Sequence, residues 1–334
     1  MQDRHYDGID VLKGIACIIV VMLHVPFPGV AGKTIGFFLN FSVPVFFMVT
    51  GYFAFPKLTI QYCKEKALRA LKITFFSEVI YGVWFVISGQ NITANIQHFA
   101  EHPIAVILCG TIFNGTLWYL YAALWTWILY AFLIRTQFMK RKEVFLLIPV
   151  LCLIHIVGRQ LYQENYSISQ GIFLFRSALL FGLPMTMLGT FIASQKDKLL
   201  SFFKPMTCVM CLAMGGVISI VEYFISHLFF KHPGTDFHVS TIVVSFGLFL
   251  LALNYPKVRY FAGLKYIGYK LYMWVYLSHI FVASLLDLIS NHDSLPGSSL
   301  YLWCKPILTI IGAALFGMIV NLFKDVWRGH ATKG

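Results

Sequence analysis

The sequence predicts an all-α fold: a polytopic integral membrane protein with about ten transmembrane helices. Three observations carry that prediction. The first is composition. Of 334 residues, 58% are hydrophobic and only 12% charged, with a mean hydropathy of +0.74, whereas soluble domains carry about a quarter charged residues. The second is segmentation. Crossing a bilayer takes about 20 apolar residues. Ten such stretches follow one another, at roughly 9–28, 35–55, 68–88, 116–134, 144–162, 171–193, 206–229, 239–255, 264–289 and 299–322. The third is where the charge sits. The formal net charge is +12, which by itself would suit nucleic acid, but its placement follows membrane topology instead.

The connections 56–72, 135–142, 196–204 and 257–270, with the two ends of the chain, hold 20 of the 26 Lys and Arg residues. The alternate connections hold five, Lys33, Arg159, Arg176, Lys231 and Lys305, and Lys13 lies within a span. Basic residues gather on the cytoplasmic side of membrane proteins. The pattern therefore predicts a multi-pass cell-membrane protein with both termini cytoplasmic, the lipid bilayer as its surroundings and no nucleic-acid partner. A single membrane domain, 1–334, is expected. The first apolar stretch is long and is followed by a Pro-rich turn, so it reads as a span and not as a cleaved leader.

Taken in order, the first stretch, GIDVLKGIACIIVVMLHVPFPG at 8–29, is the most informative. Lys13 and His24 are eleven positions apart, close to three helical turns and about 16 Å, so they share one face. Ionisable groups inside a span face a bundle interior or an aqueous cavity. Asp10 is one turn before Lys13 and in reach of it. The prolines of Val25-Pro26-Phe27-Pro28 end the helix just after His24. His24 there is either a general base, since histidine titrates near neutral pH, or a span-end histidine bonded to a carbonyl or headgroup.

The outer connection 89–115 is polar and free of Lys and Arg, and its segment 104–113 is too short to span. Trp118, Tyr119 and Tyr121 open the next span, as an aromatic belt or as stacking surfaces for a carbohydrate. Arg176 starts the sixth span, facing an anionic acceptor or a headgroup. Glu78 and Glu222 are carboxylates within spans that either orient His24 or pair with a cation. His279 lies about two-thirds along the ninth span, in a structural or a site role. Asp287, near the end of that span, is expected to be solvated. The seven cysteines fall mostly within spans. Cys208 and Cys211 have CxxC spacing without a second pair, which favours packing over a metal site.

Six segments resemble the acyltransferase 3 family, in the order expected for it. Asp10-Val-Leu-Lys13-Gly-Ile-Ala, leading to His24, resembles the family's first helix, with a basic residue and a histidine separated by ten. FSVPVFFMVTGYF at 41–53 resembles the F-F-x-x-S-G signature of the second helix, with Thr50 for Ser. Lys66-Ala-Leu-Arg69-Ala-Leu-Lys72 resembles the basic R-x-x-R start of the third, with one Arg replaced by Lys. GTLWYLYAALWTWIL at 115–129 resembles the L-W-Y-L-x-A-L helix, RSALLFGLPMTMLGTFIA at 176–193 the F-x-x-G-x-x-[IL]-G segment, and IGYKLYMWVYLSHIFV at 267–282 the late Y-L-x-H helix ending in His279.

This resemblance implies a membrane acyltransferase. It would move an acyl group, usually acetyl from acetyl-CoA, to a hydroxyl of an extracytoplasmic acceptor, chiefly a cell-surface glycan. Acyl-CoA is then a co-substrate; no permanently bound cofactor and no metal is implied. His24 and Lys13 are the catalytic candidates. Arg69, Lys66 and Lys72 are candidates for the phosphates of coenzyme A, or are topology anchors. Trp118, Tyr119, Arg176, His279 and Glu78 are candidate acceptor-binding or supporting residues. Relatives also form the membrane half of vancomycin-type serine racemases, which leaves a permease for a small polar solute such as serine, or a membrane partner in glycopeptide resistance, as the alternative.

Overall fold

A computed structural model describes residues 6–165, 174–230, 237–292 and 298–331, and every regular element among them is helical. In chain order these are α1 (Asp7–His24), α2 (Gly29–Phe38), α3 (Ser42–Ala54), α4 (Ile60–Ile87), α5 (Ile92–Glu101), α6 (Pro103–Cys109), α7 (Trp118–Arg135) and α8 (Leu147–Asn165). They continue with α9 (Leu183–Ser194), α10 (Lys196–Phe202), α11 (Pro205–Phe229), α12 (Val239–Asn254), α13 (Ala262–Tyr266), α14 (Tyr272–His292) and α15 (Ser299–Ala331). Two short π-helical turns, Ala178–Gly182 and Ile267–Leu271, lead into α9 and α14. Of the charges used for topology, Arg4, Lys231 and Lys333 lie outside the described residues.

Each of the ten expected spans is mainly helical where described, with non-helical breaks such as 25–28, 39–41 and 176–177. Among the described residues, seven helical runs are long and apolar enough to cross a membrane, and an eighth candidate is a pair bent by 82° between Ala178–Ser194 and Lys196–Phe202. The two remaining stretches fall short for visible reasons. α12 has 16 residues, about 24 Å against a hydrocarbon core of about 30 Å. α1 is long enough but carries Asp7, Asp10 and Lys13. The surfaces fit a bilayer: on α4, Phe75, Phe76, Ile80, Val83 and Ile87 are exposed while Thr74, Ser77 and Glu78 are buried.

The basic stretch 56–72 is not a loop throughout, as hydropathy suggests. Thr59 caps a helix that begins at Ile60, its side chain accepting from the Tyr62 amide, and Lys, Glu and Arg are good helix formers. Lys64, Lys66, Arg69 and Lys72 therefore ride on the first turns of α4. In the same way Lys196 and Lys198 lie on α10, and Lys265 on α13. The polar connection 89–115 carries α5, capped by the Asn91 side chain, and α6, which begins with Pro103 at its first position.

Backbone contacts divide the chain into two compact units, residues 1–42 with 251–334, and residues 43–250. In the first unit α1 lies along the α13–α14 stretch. Asp7 fixes its start: the Asp7 carboxylate accepts from the Val258 amide at 2.9 Å and from Lys265 Nζ at 3.2 Å. Two glycines bring backbones together. A side chain on Gly14 would strike the Leu264 carbonyl, and one on Gly268 would strike the Asp10 carbonyl and the Gly14 nitrogen. Asp287 is solvated as expected, its side chain 46% exposed, and it also accepts from Tyr301 Oη at 2.7 Å and pairs with Lys305, which ties α14 to α15.

In the second unit α4 packs on α7. The Glu78 carboxylate accepts the Ile112 and Phe113 amides at 3.1 and 3.0 Å and the Tyr121 hydroxyl at 3.1 Å. Glu222 does the same for the Val239 and Ser240 amides, at the start of α12. α3 and α9 approach closely through Gly51, set against Thr186, and Gly189, set against Met48. Tyr130 and Thr190 share a buried hydrogen bond of 3.0 Å. The two thiols of the CxxC spacing are directed at backbone carbonyls, Cys208 at Phe203 and Cys211 at Val243.

Candidate functional site

The apolar character of α1 forces its few polar groups toward protein, and one face carries them from end to end. At the lower end Lys13 Nζ is 3.0 Å from the Asp10 carboxylate and 4.6 Å from the centre of the Tyr272 ring. Both charged side chains are largely buried, at 12% and 7% exposure. Cys17 Sγ donates to the Tyr272 carbonyl. At the upper end the half-buried His24 ring lies 5.4 Å from the His279 ring, the planes inclined by 34°. Lys13 to His24 is about 16 Å along α1 and Tyr272 to His279 about 10 Å along α14; the long lysine side chain makes up the difference.

His279 is completely buried. Its Nδ1 is 2.8 Å from the Tyr276 carbonyl and 3.2 Å from the Val275 carbonyl, and Nε2 has no hydrogen-bond partner. The face thus presents a cation neutralised by its own helix at one end and a pair of imidazoles at the other. That set can bind a polarised group and exchange a proton.

The other candidates belong to the second unit and form separate groups there. Arg69 and Lys72 are exposed on α4, while half-buried Lys66 lies over the Tyr62 ring, 5.0 Å from its centre. Arg176 sits 5.5 Å from the centre of the Trp118 ring. Trp118 packs edge-on against Phe181, and the Tyr119 ring is tilted against Phe47 at 4.7 Å. Trp118 and Tyr121 are buried in protein and do not form a lipid-facing belt. Glu78 acts as a clamp on the 112–113 backbone, with Tyr121 as its side-chain partner.

A family profile described as an acyltransferase domain matches residues 6–322. The chain belongs to the acyltransferase 3 family. The match spans both units and contains every candidate named above. This acyltransferase is also 30% identical over 152 residues to a protein named amino-acid racemase from Enterococcus faecalis, an alignment covering 42% of this chain and 21% of that one. The chain thus spans about a fifth of the length of the curated relative it matches. No solved structure matches it.

The acyltransferase also holds polar residues that the sequence reading did not single out as a group. His155, Arg159 and Gln163 are buried on α8. Arg159 was expected at an outer connection as a topology charge, but it is inside the unit at 5% exposure. His155 Nδ1 bonds the Leu180 carbonyl in the π-helical turn, and its ring packs among Phe175, Phe181 and Phe237. The signal was present in the spacing: three polar residues at successive fourth positions of an otherwise apolar helix lie on one face.

Proposed function

We propose that this acyltransferase moves an acetyl group from cytoplasmic acetyl-CoA to a hydroxyl of an extracytoplasmic acceptor, a cell-surface glycan. The observation that supports it is the single face of α1 that runs from the Lys13–Asp10 pair to the His24–His279 pair. His24 takes the proton of the acceptor hydroxyl as its oxygen attacks the thioester carbonyl. The new C–O bond forms, the C–S bond breaks, and the imidazolium returns the proton to the departing thiolate. Lys13, held in place by Asp10 and Tyr272 about 10 Å along the face from the imidazoles, keeps positive charge on the path by which the anionic acyl-CoA reaches them.

Arg69, Lys66 and Lys72 suit the phosphates of coenzyme A, since a guanidinium offers paired donors and the ammonium groups add charge. Arg176 over Trp118 suits a polar acceptor with an apolar sugar face. Both termini are cytoplasmic in this reading.

The amino-acid racemase relative favours a second reading, a permease for a small polar solute such as serine or a membrane partner in glycopeptide resistance. Purified protein in sealed vesicles separates the two. Acetyl transfer to a glycan acceptor on one face, dependent on acetyl-CoA supplied to the other, is the expected result. Serine uptake with no use of acetyl-CoA would replace it with the second reading.

A further inference from the structure

The backbone determines the tautomer of His279. Its Nδ1 lies within hydrogen-bond distance of two carbonyl oxygens, those of Val275 and Tyr276. Carbonyl oxygens only accept, so Nδ1 carries the proton. In the neutral ring Nε2 then holds a lone pair and no hydrogen. That atom is buried without a partner, in a ring at 0% exposure. A buried nitrogen with an unsatisfied lone pair is costly, and the buried polar atoms that stay unsatisfied call for a reason. The imidazole packed on this ring is His24, at a centroid distance of 5.4 Å. Two imidazoles joined by one N–H···N bond have centres at about this separation, given a heavy-atom distance of about 3 Å.

We propose that His279 is the positioning residue for His24. Its Nε2 accepts a hydrogen bond from one ring nitrogen of His24 when substrate closes the site, which leaves the other ring nitrogen of His24 unprotonated and aimed at the acceptor hydroxyl. A proton-accepting group on the far nitrogen of a catalytic histidine fixes its tautomer and orientation. Here a neutral imidazole, itself locked by two main-chain carbonyls, fills that place. The arrangement suits a membrane interior, because it brings no additional charge into it. Catalytic hydrogen bonds that are long without substrate commonly shorten in the loaded complex. The proposal rests on the acyl-transfer reading and assigns the device that prepares its base.

Two amide variants test it, because each keeps one half of the imidazole. Asn reproduces the Nδ1 position alone, and Gln places an oxygen acceptor near Nε2. His279→Gln should keep kcat for acetyl transfer within about tenfold of wild type. His279→Asn should lower kcat by about 10²-fold, at the lower end of what acid–base catalysis contributes, with KM for acetyl-CoA unchanged in both. Equal kcat values for the two variants would overturn the proposal. Nitrogen-15 spectra of histidine-labelled wild type supply a second test that needs no turnover: His279 should show a protonated Nδ1 and a bare Nε2, and a protonated Nε2 at neutral pH would overturn the proposal while leaving acyl transfer intact. Wild-type protein that transfers no acetyl group from acetyl-CoA to any glycan hydroxyl would remove the catalytic reading itself, and the role of His279 with it.

Discussion

Lys13 and Asp10 form a buried ion pair one turn apart on α1, at 3.0 Å, with the ammonium group also over the Tyr272 ring. The pair lets a charged residue enter an apolar helix. Removing one partner of a buried pair generally costs about 3–5 kcal/mol, because the other charge loses its counterion. Lys13→Met should therefore reduce both thermal stability in detergent and acetyl transfer. The double variant Asp10→Asn with Lys13→Met should recover most of the stability and none of the activity. Recovery of both by the double variant would reduce Lys13 to a structural role.

Glu78 holds the segment after α6 through two main-chain amides and Tyr121. Gln has one carbonyl oxygen where the carboxylate has two. Glu78→Gln should lose a charge-assisted bond and about 1.5–3 kcal/mol, seen as earlier protease cleavage between residues 103 and 114. Unchanged protection of that segment would mean that the clamp contributes nothing.

Close backbone approach at Gly14 makes it intolerant of even a methyl group. Gly14→Ala should destabilise the protein by at least about 1–3 kcal/mol, the usual cost of overpacking. Gly36, with nothing within 4 Å of an added methyl, is the control and should tolerate Ala. The check is the thermal midpoint of each purified variant; equal midpoints for both would contradict the packing.

Arg69 is exposed on α4, so its substitution should spare the fold. Arg69→Ala should weaken acetyl-CoA binding by about tenfold, which is about 1.4 kcal/mol, and Arg69→Lys should restore part of it, lacking the guanidinium fork. Calorimetry on detergent-purified protein reads this directly. Identical affinities in all three proteins would leave Arg69 as a topology anchor.

What could be read from the sequence was local. The Lys13–His24 alignment follows from helical periodicity alone, and so does the Lys13–Asp10 pair. The end of α1 at His24 follows from two prolines. The partners across the bundle were not legible, because Tyr272 and His279 are more than 250 residues away from the groups they meet and no periodicity links them. Glu78 was ambiguous for the same reason, since its partners lie 34 to 43 positions on. The start of α4 was missed because lysines lower hydropathy without breaking a helix. The bend between Ser194 and Lys196 leaves the apolar count unchanged, so hydropathy read past it.

The central claim is that the His24 imidazole, at the end of the polar face of α1, is the base for acyl transfer. The direct measurement is the rate of labelled acetyl transfer from acetyl-CoA to a glycan acceptor by purified wild type and His24→Ala, at matched folding and matched acetyl-CoA binding. The account predicts a loss of about 10²–10⁴-fold, the range of general acid–base catalysis. Equal rates for the two proteins would contradict it.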